Sequence, residues 1–225
     1  MISESSEFPT GSKIEDLTGD YVELAGRDSI RVAARLLGAN RWEEMIQATQ
    51  HDLKERGLVV ARKRNGNLDE NEIFISEETE AQKSIEIPFS QVLKSLVPGR
   101  SNLTFVHTHA MPPTVDHLRT TVFSDLDLQG LLETDYRALV MLDRGGAHLL
   151  VPVSKFARSR RSFDSGLVAK AVEKIKQKNG GTLDVVKDVA GTLAGQGFGY
   201  FYTPELCQTK GETVTFYNPK MIPAV

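Results

Sequence analysis

Residues 103–109, Leu-Thr-Phe-Val-His-Thr-His, constrain this chain more than any other stretch. An apolar, β-type run reaches Val106 and then delivers two histidines at i and i+2, His107 and His109. Such a run reads as a strand. In a strand, residues i and i+2 leave from one face and the residue between them leaves from the other. The two imidazoles therefore stand side by side, while Thr108 points away and reads as structural. Neutral imidazole is a good ligand for zinc and its neighbours, so this is a chelating arrangement.

Downstream, Ser124-Asp125-Leu126-Asp127 opens a helix whose apolar positions are Leu126, Leu128, Leu131 and Leu132. Ser124 reads as its N-cap, and Asp127 lies near the positive helix end. His107, His109 and Asp127 together supply three protein ligands. A fourth position is left for water, which is the arrangement of a catalytic rather than a structural zinc site. The competing reading is a pair of packing histidines beside an ordinary capping motif, which predicts no stoichiometric metal.

The chain has 225 residues, 40% hydrophobic and 25% charged, with net charge −3, which is enough for one sizeable core. No run of eighteen apolar residues suggests a membrane span. Residues 1–8 lack a basic start and an apolar core, so they do not read as a secretory signal. The single cysteine, Cys207, excludes an internal disulfide and a cysteine-based zinc ribbon. It reads as a small buried apolar residue, and the setting as reducing and cytoplasmic. The near-neutral charge argues against a dedicated nucleic-acid binder. The one basic cluster, Lys155, Arg158, Arg160 and Arg161, reads as a solvated helix face or linker.

Taken in order, residues 1–20 read as a loosely held tail. Residues 29–37 have a helical look, ended by Gly38. Trp42, Met45, Ile46, Thr49 and Leu53 recur at helical spacing, which predicts an amphipathic helix over 41–54. The period then changes. Glu55 leads an apolar strand over 57–61, Asn65-Gly66-Asn67 is a turn signal, and strands follow at 72–75 and 85–89. One or two helical turns are expected at 91–96. After the histidine strand come a loop to Val122 that carries Asp116 and His117, a helix over 124–134, and a strand at 137–142. A hairpin turn at 143–146 and a return strand at 147–153 complete this part. Helices are expected over 154–178 and 182–193, then a terminal strand pair at 200–202 and 214–217. Gly195-Gln196-Gly197-Phe198-Gly199 resembles no phosphate loop.

Glu55 at the head of a strand, His107-Thr108-His109, and Ser124-Asp125-Leu126-Asp127 together resemble the JAMM zinc metalloprotease family, also called the JAB/MPN domain, in a bacterial or archaeal form. The resemblance covers roughly residues 40–153. It implies an α+β fold of the cytidine-deaminase layered type, a mixed curved sheet flanked by helices. The expected division is an N-terminal tail and helix at 1–38, the metalloprotease domain at 39–153, and a helical and β extension packed on the core at 154–225. The loop between His109 and Ser124 is longer than the family's spacing, and Ala110 stands where the family has proline. Asp116, His117 or Asp125 could therefore replace Asp127 as the third ligand.

The resemblance further implies that His107, His109 and Asp127 hold Zn²⁺, that Glu55 is the general base, and that Ser124 donates to the oxyanion. The implied activity is metal-dependent hydrolysis of a peptide or isopeptide bond after the tail of a ubiquitin-like protein, with the long loop a candidate gate over the substrate groove. Three alternatives stand beside it: a non-catalytic scaffold of the same fold, a different metal hydrolase, and an accidental likeness. The segment after residue 153 could extend the core, dock a partner, or pair two copies into a homodimer.

Overall fold

A computed structural model describes residues 12–14, 28–62, 71–77, 102–110, 118, 121–133, 136–143, 146–152, 166–204 and 213–222. Nine strands form one mixed sheet among these residues. They are β1 (Ser12–Ile14), β2 (Ser29–Ala33), β3 (Arg56–Arg62), β4 (Asn71–Glu77), β5 (Asn102–Thr108), β6 (Tyr136–Leu142), β7 (Ala147–Pro152), β8 (Phe198–Thr203) and β9 (Thr213–Tyr217). The order across the sheet is β1-β2-β9-β8-β7-β6-β5-β3-β4. β1 with β2 and β5 with β6 are parallel, and the remaining neighbours are antiparallel. Among the described residues four longer α-helices cover it: α1 (Trp42–Asp52), α2 (Asp125–Glu133), α3 (Leu167–Gln177) and α4 (Thr182–Ala194). The fold is thus mixed α and β with a mixed sheet flanked by helices. Among the described residues no helix is long and apolar enough to cross a membrane.

Side-chain alternation along the strands builds two cores, one on each face. Val59, Leu103, Leu139 and Met141 face α2, α3 and α4, which contribute Leu128, Val172 and Val189. Leu58, Val60, Val106, Val140 and Leu142 face the other way, onto Trp42 and Met45 of α1. β5 lies between β3 and β6 with both faces covered, so its central residues Leu103 and Val106 are almost fully buried.

Residues 29–37 depart from the helical expectation. They form β2 and then a 3-10 turn, Ala34–Leu37. Ile30 and Val32 turn inward around an exposed Arg31, and β9 supplies the hydrogen-bonding partner from the other end of the sequence. Pairing across the sheet overrides the local pattern. Gly38 does end the turn, at φ 61°. A side chain there would press on Leu58 and Val60 at 3.0–3.1 Å, so glycine serves both the left-handed backbone and the close approach.

The expected helix at 41–54 is α1, and the strand led by Glu55 is β3. The 137–142 and 147–153 pair is β6 and β7, with Leu142 opposite Ala147. The second C-terminal helix is α4. The terminal strands do meet, at Tyr202 opposite Tyr217, but β9 spends its length on β2. The expected turn at 65–67, the strand at 85–89, the turns at 91–96, the basic cluster, and Asp116 and His117 lie outside the described residues.

One ion pair fastens α1 to β3. Arg56 bonds both carboxylate oxygens of Asp52, at 2.8 and 2.7 Å, and the carbonyl of Lys54 at 2.8 Å. The Arg56 hydrogen bond is the main reason that the Asp52 carboxyl is held far below its usual range. A carboxylate with a depressed folded-state pKa stabilises the fold above its unfolded value, and that contribution is lost as pH falls through the folded value. Asp52→Asn should therefore cost about 1–2 kcal/mol in urea unfolding at pH 7, a figure reduced because a third of the Asp52 side chain meets solvent. The gap to wild type should stay constant down to about pH 4 and narrow below it.

Candidate metal centre

The site starts from the end of β5. His107 is the last residue but one of the strand, and His109, just past its end, extends the ladder by one bond, from its N–H to the Leu142 carbonyl at 3.1 Å. As the alternation requires, both imidazoles leave from one face. Their Nε2 atoms lie 3.1 Å apart. Thr108 leaves from the other face, where its hydroxyl meets Thr49 of α1 at 2.7 Å.

The third group comes from the first turn of α2. Ser124 and Asp127 form a reciprocal cap. The Ser124 N–H and hydroxyl both donate to Asp127 Oδ2, at 2.7 and 2.8 Å, and the Asp127 N–H donates to Ser124 Oγ at 3.2 Å. Such a box satisfies otherwise orphaned donors at a helix start. Phe123, just before the cap, is fully buried in the same cluster as Leu128 and anchors the entry of the helix. The cap fixes the Asp127 carboxylate so that Oδ1 lies 3.2 Å from His107 Nε2 and Oδ2 lies 3.5 Å from His109 Nε2.

One ligand atom from each of the three residues thus lies within 4.8 Å of the other two. Donors about 2.0–2.1 Å from a tetrahedral zinc lie about 3.3 Å from one another. The two imidazole nitrogens, 3.1 Å apart, and the carboxylate, with Oδ1 3.2 Å from His107 and Oδ2 3.5 Å from His109, lie close to that edge. The donor set fits a divalent cation, and two imidazoles with one carboxylate suit zinc among other first-row metals. Burial pushes the Asp127 carboxyl up, but His107 and His109 more than offset it, and the group is held well below the usual carboxylate range. His107 Nδ1 is buried and makes no hydrogen bond. Aromatic packing sets its ring plane instead, with Phe105 stacked at 5.2 Å and Phe123 at 6.4 Å.

Asp125, the described alternative for the third ligand, goes elsewhere. Its carboxylate accepts from the N–H groups of Val168 and Ala169, at 3.0 and 3.4 Å, and so caps α3 from outside the helix. The residue at the N-cap of α3 is Gly166, which has no side chain to do this. Glu55 stands just before β3 and is half-buried. Gly57 pairs with His107, and the ladder ends there, two residues after Glu55. The single hydroxyl proton of Ser124 points at Asp127 Oδ2, so Ser124 orients the ligand as it stands.

A polar group absent from the sequence reading borders this centre. His148 lies in the same row of the sheet as His107, through Met141, and is completely buried. Its Nδ1 meets the Tyr200 hydroxyl at 2.7 Å, and Asp143 Oδ2 lies 3.4 Å from its Nε2. Burial, with the Asp143 charge beside it, pushes the Tyr200 phenol well above its usual range, so Tyr200 stays a neutral hydroxyl. The ring of Phe123 is 6.4 Å from both histidines. No local pattern in the sequence marks these three residues as neighbours.

The chain matches no protein-family model, no curated protein and no solved structure.

The two acidic residues of α2 should separate cleanly in experiment. Asp127→Ala should abolish stoichiometric metal binding measured by elemental analysis. Asp125→Ala should keep the metal while costing about 1 kcal/mol in unfolding free energy through the lost cap.

Proposed function

We propose that this chain is a zinc-dependent metallopeptidase or isopeptidase of the JAMM type, cleaving a peptide or isopeptide bond after the tail of a ubiquitin-like protein. The observation that carries the reading is the convergence of His107 Nε2, His109 Nε2 and the Asp127 carboxylate at zinc-like spacing. The strand headed by Glu55 runs alongside the ligand strand. A zinc ion held by these three residues would supply Lewis acidity and bring the pKa of a water to about 7.

The chain's own residues would do the rest. Glu55, two residues before the Gly57–His107 pair, accepts the proton of the attacking water and returns it to the leaving nitrogen as the C–N bond breaks. Ser124 holds the carboxylate of Asp127 through its hydroxyl and its N–H. For Ser124 to donate to the oxyanion, its hydroxyl must first turn away from Asp127. Its backbone N–H keeps the ligand fixed while it does so.

The direct test is the metal content of the purified chain, wild type beside His109→Ala, followed by assays on ubiquitin-like fusions. About one zinc per chain, lost in the variant, supports the reading. Absence of bound zinc even after zinc is added would favour a non-catalytic module of the same fold. With metal bound, Glu55→Gln should retain zinc and lower kcat by at least about 10²-fold. Ser124→Ala should lower both the rate and, by about 1 kcal/mol, the stability, since it removes a cap.

A further inference from the structure

Resting on that reading, we propose that Thr108 and Arg56 are positioning residues that hold Glu55 against the metal centre from the opposite face of the sheet. The antiparallel ladder of β3 and β5 runs regularly up to Gly57 opposite His107. One step further, the pairing passes to a side chain. The Arg56 N–H donates to Thr108 Oγ1 at 2.9 Å, and the same oxygen lies 3.4 Å from the Arg56 carbonyl. That N–H belongs to the peptide joining Glu55 to Arg56. The residue between the two ligand histidines therefore pins the peptide that carries Glu55.

The other flank of Glu55 is held as well. The Arg56 guanidinium grips the Lys54 carbonyl and both oxygens of Asp52, and its Nη1 lies 3.5 Å from Thr49 Oγ1. Leu53 enters this short connection at φ 59°, a backbone conformation costly for leucine, and its N–H still closes α1 on the Thr49 carbonyl at 2.8 Å. Arg56, Thr49 and Thr108 are buried. Glu55 lies outside any regular element, yet the backbone groups on both sides of it have fixed partners. A general base misplaced by about 1 Å loses about 10²-fold in rate, so such a clamp has a kinetic role as well as a structural one. Valine in place of Thr108 would fill the same space but could not accept the Arg56 N–H.

The experiment compares wild type, Thr108→Val, Thr108→Ser, Glu55→Gln and the Thr108→Val/Glu55→Gln pair. Each is loaded with zinc, assayed for zinc content, and titrated with acetohydroxamic acid by calorimetry. This probe chelates a metal as an anion, and its proton passes to a neighbouring carboxylate. Thr108→Val should keep about one zinc per chain and weaken the probe about tenfold, as Glu55→Gln does. The double variant should be no weaker than Glu55→Gln alone, and Thr108→Ser should lie within about twofold of wild type. On a fusion substrate, Thr108→Val should lower kcat with little change in KM.

Wild-type probe affinity in Thr108→Val, full additivity in the double variant, or no effect of Glu55→Gln would each overturn the proposal. If Thr108→Val loses zinc, Asp52→Asn, which frees the guanidinium without touching β5, carries the same comparison. A wild-type chain that binds zinc and the probe yet cuts no fusion would sink the proposed substrate and leave the positioning result standing.

Discussion

A strand covered on both faces and paired on both edges cannot slip. β5 is such a strand, and the site depends on that confinement. Shifting it by one residue would send Thr108 into the helix-covered core and both histidines toward α1. The apolar residues Leu103 and Val106, each committed to its own core, fix the phase. The two histidines inherit it. His107 and His109 therefore owe their common direction to side chains that touch no metal.

Capping does for α2 what alternation does for β5. Asp127 has two tasks that agree: it closes the first turn with Ser124, and it presents an oxygen to His107. The helix start is thereby as rigid as its cap, and Phe123 buried beneath it anchors the chain on entry. Asp125, two residues earlier, links the same turn to the backbone of α3. One helical turn thus joins the candidate metal centre to the C-terminal helices. The region after residue 166 is continuous with the rest through the sheet and through this carboxylate.

Much of this was legible in the sequence because the informative features are local. The i, i+2 histidines, the Ser-x-x-Asp cap, the amphipathic spacing of Trp42, Met45 and Thr49, and the Asp-x-Gly-Gly turn before β7 each state their geometry within a few residues. What was illegible depends on partners far along the chain. β2 reads as helical until β9 is placed beside it. Asp125 and Asp127 are chemically alike, and only the position of α3 separates their roles. The His148–Tyr200 contact joins strands whose neighbourhood no spacing rule reveals. The contact of Thr108 was half visible: alternation turned it away from the two histidines, but not toward the N–H of Arg56.

The pairing of β2 with β9 sets an order of events during synthesis. Ile30 and Val32 leave the ribosome long before Phe216 and Val214, the residues that pair with them. Contacts so distant in sequence form late, after the loop-closure entropy between them has been overcome. The hairpin and parallel pair around β3, β5 and β6 are complete long before that. During translation the histidine strand can be seated while β2, whose other side pairs with β1, still lacks its partner on the β9 side. Such a strand is a template for wrong partners until β9 arrives. The nascent chain is thus most exposed to aggregation on the side of the sheet away from the histidine strand.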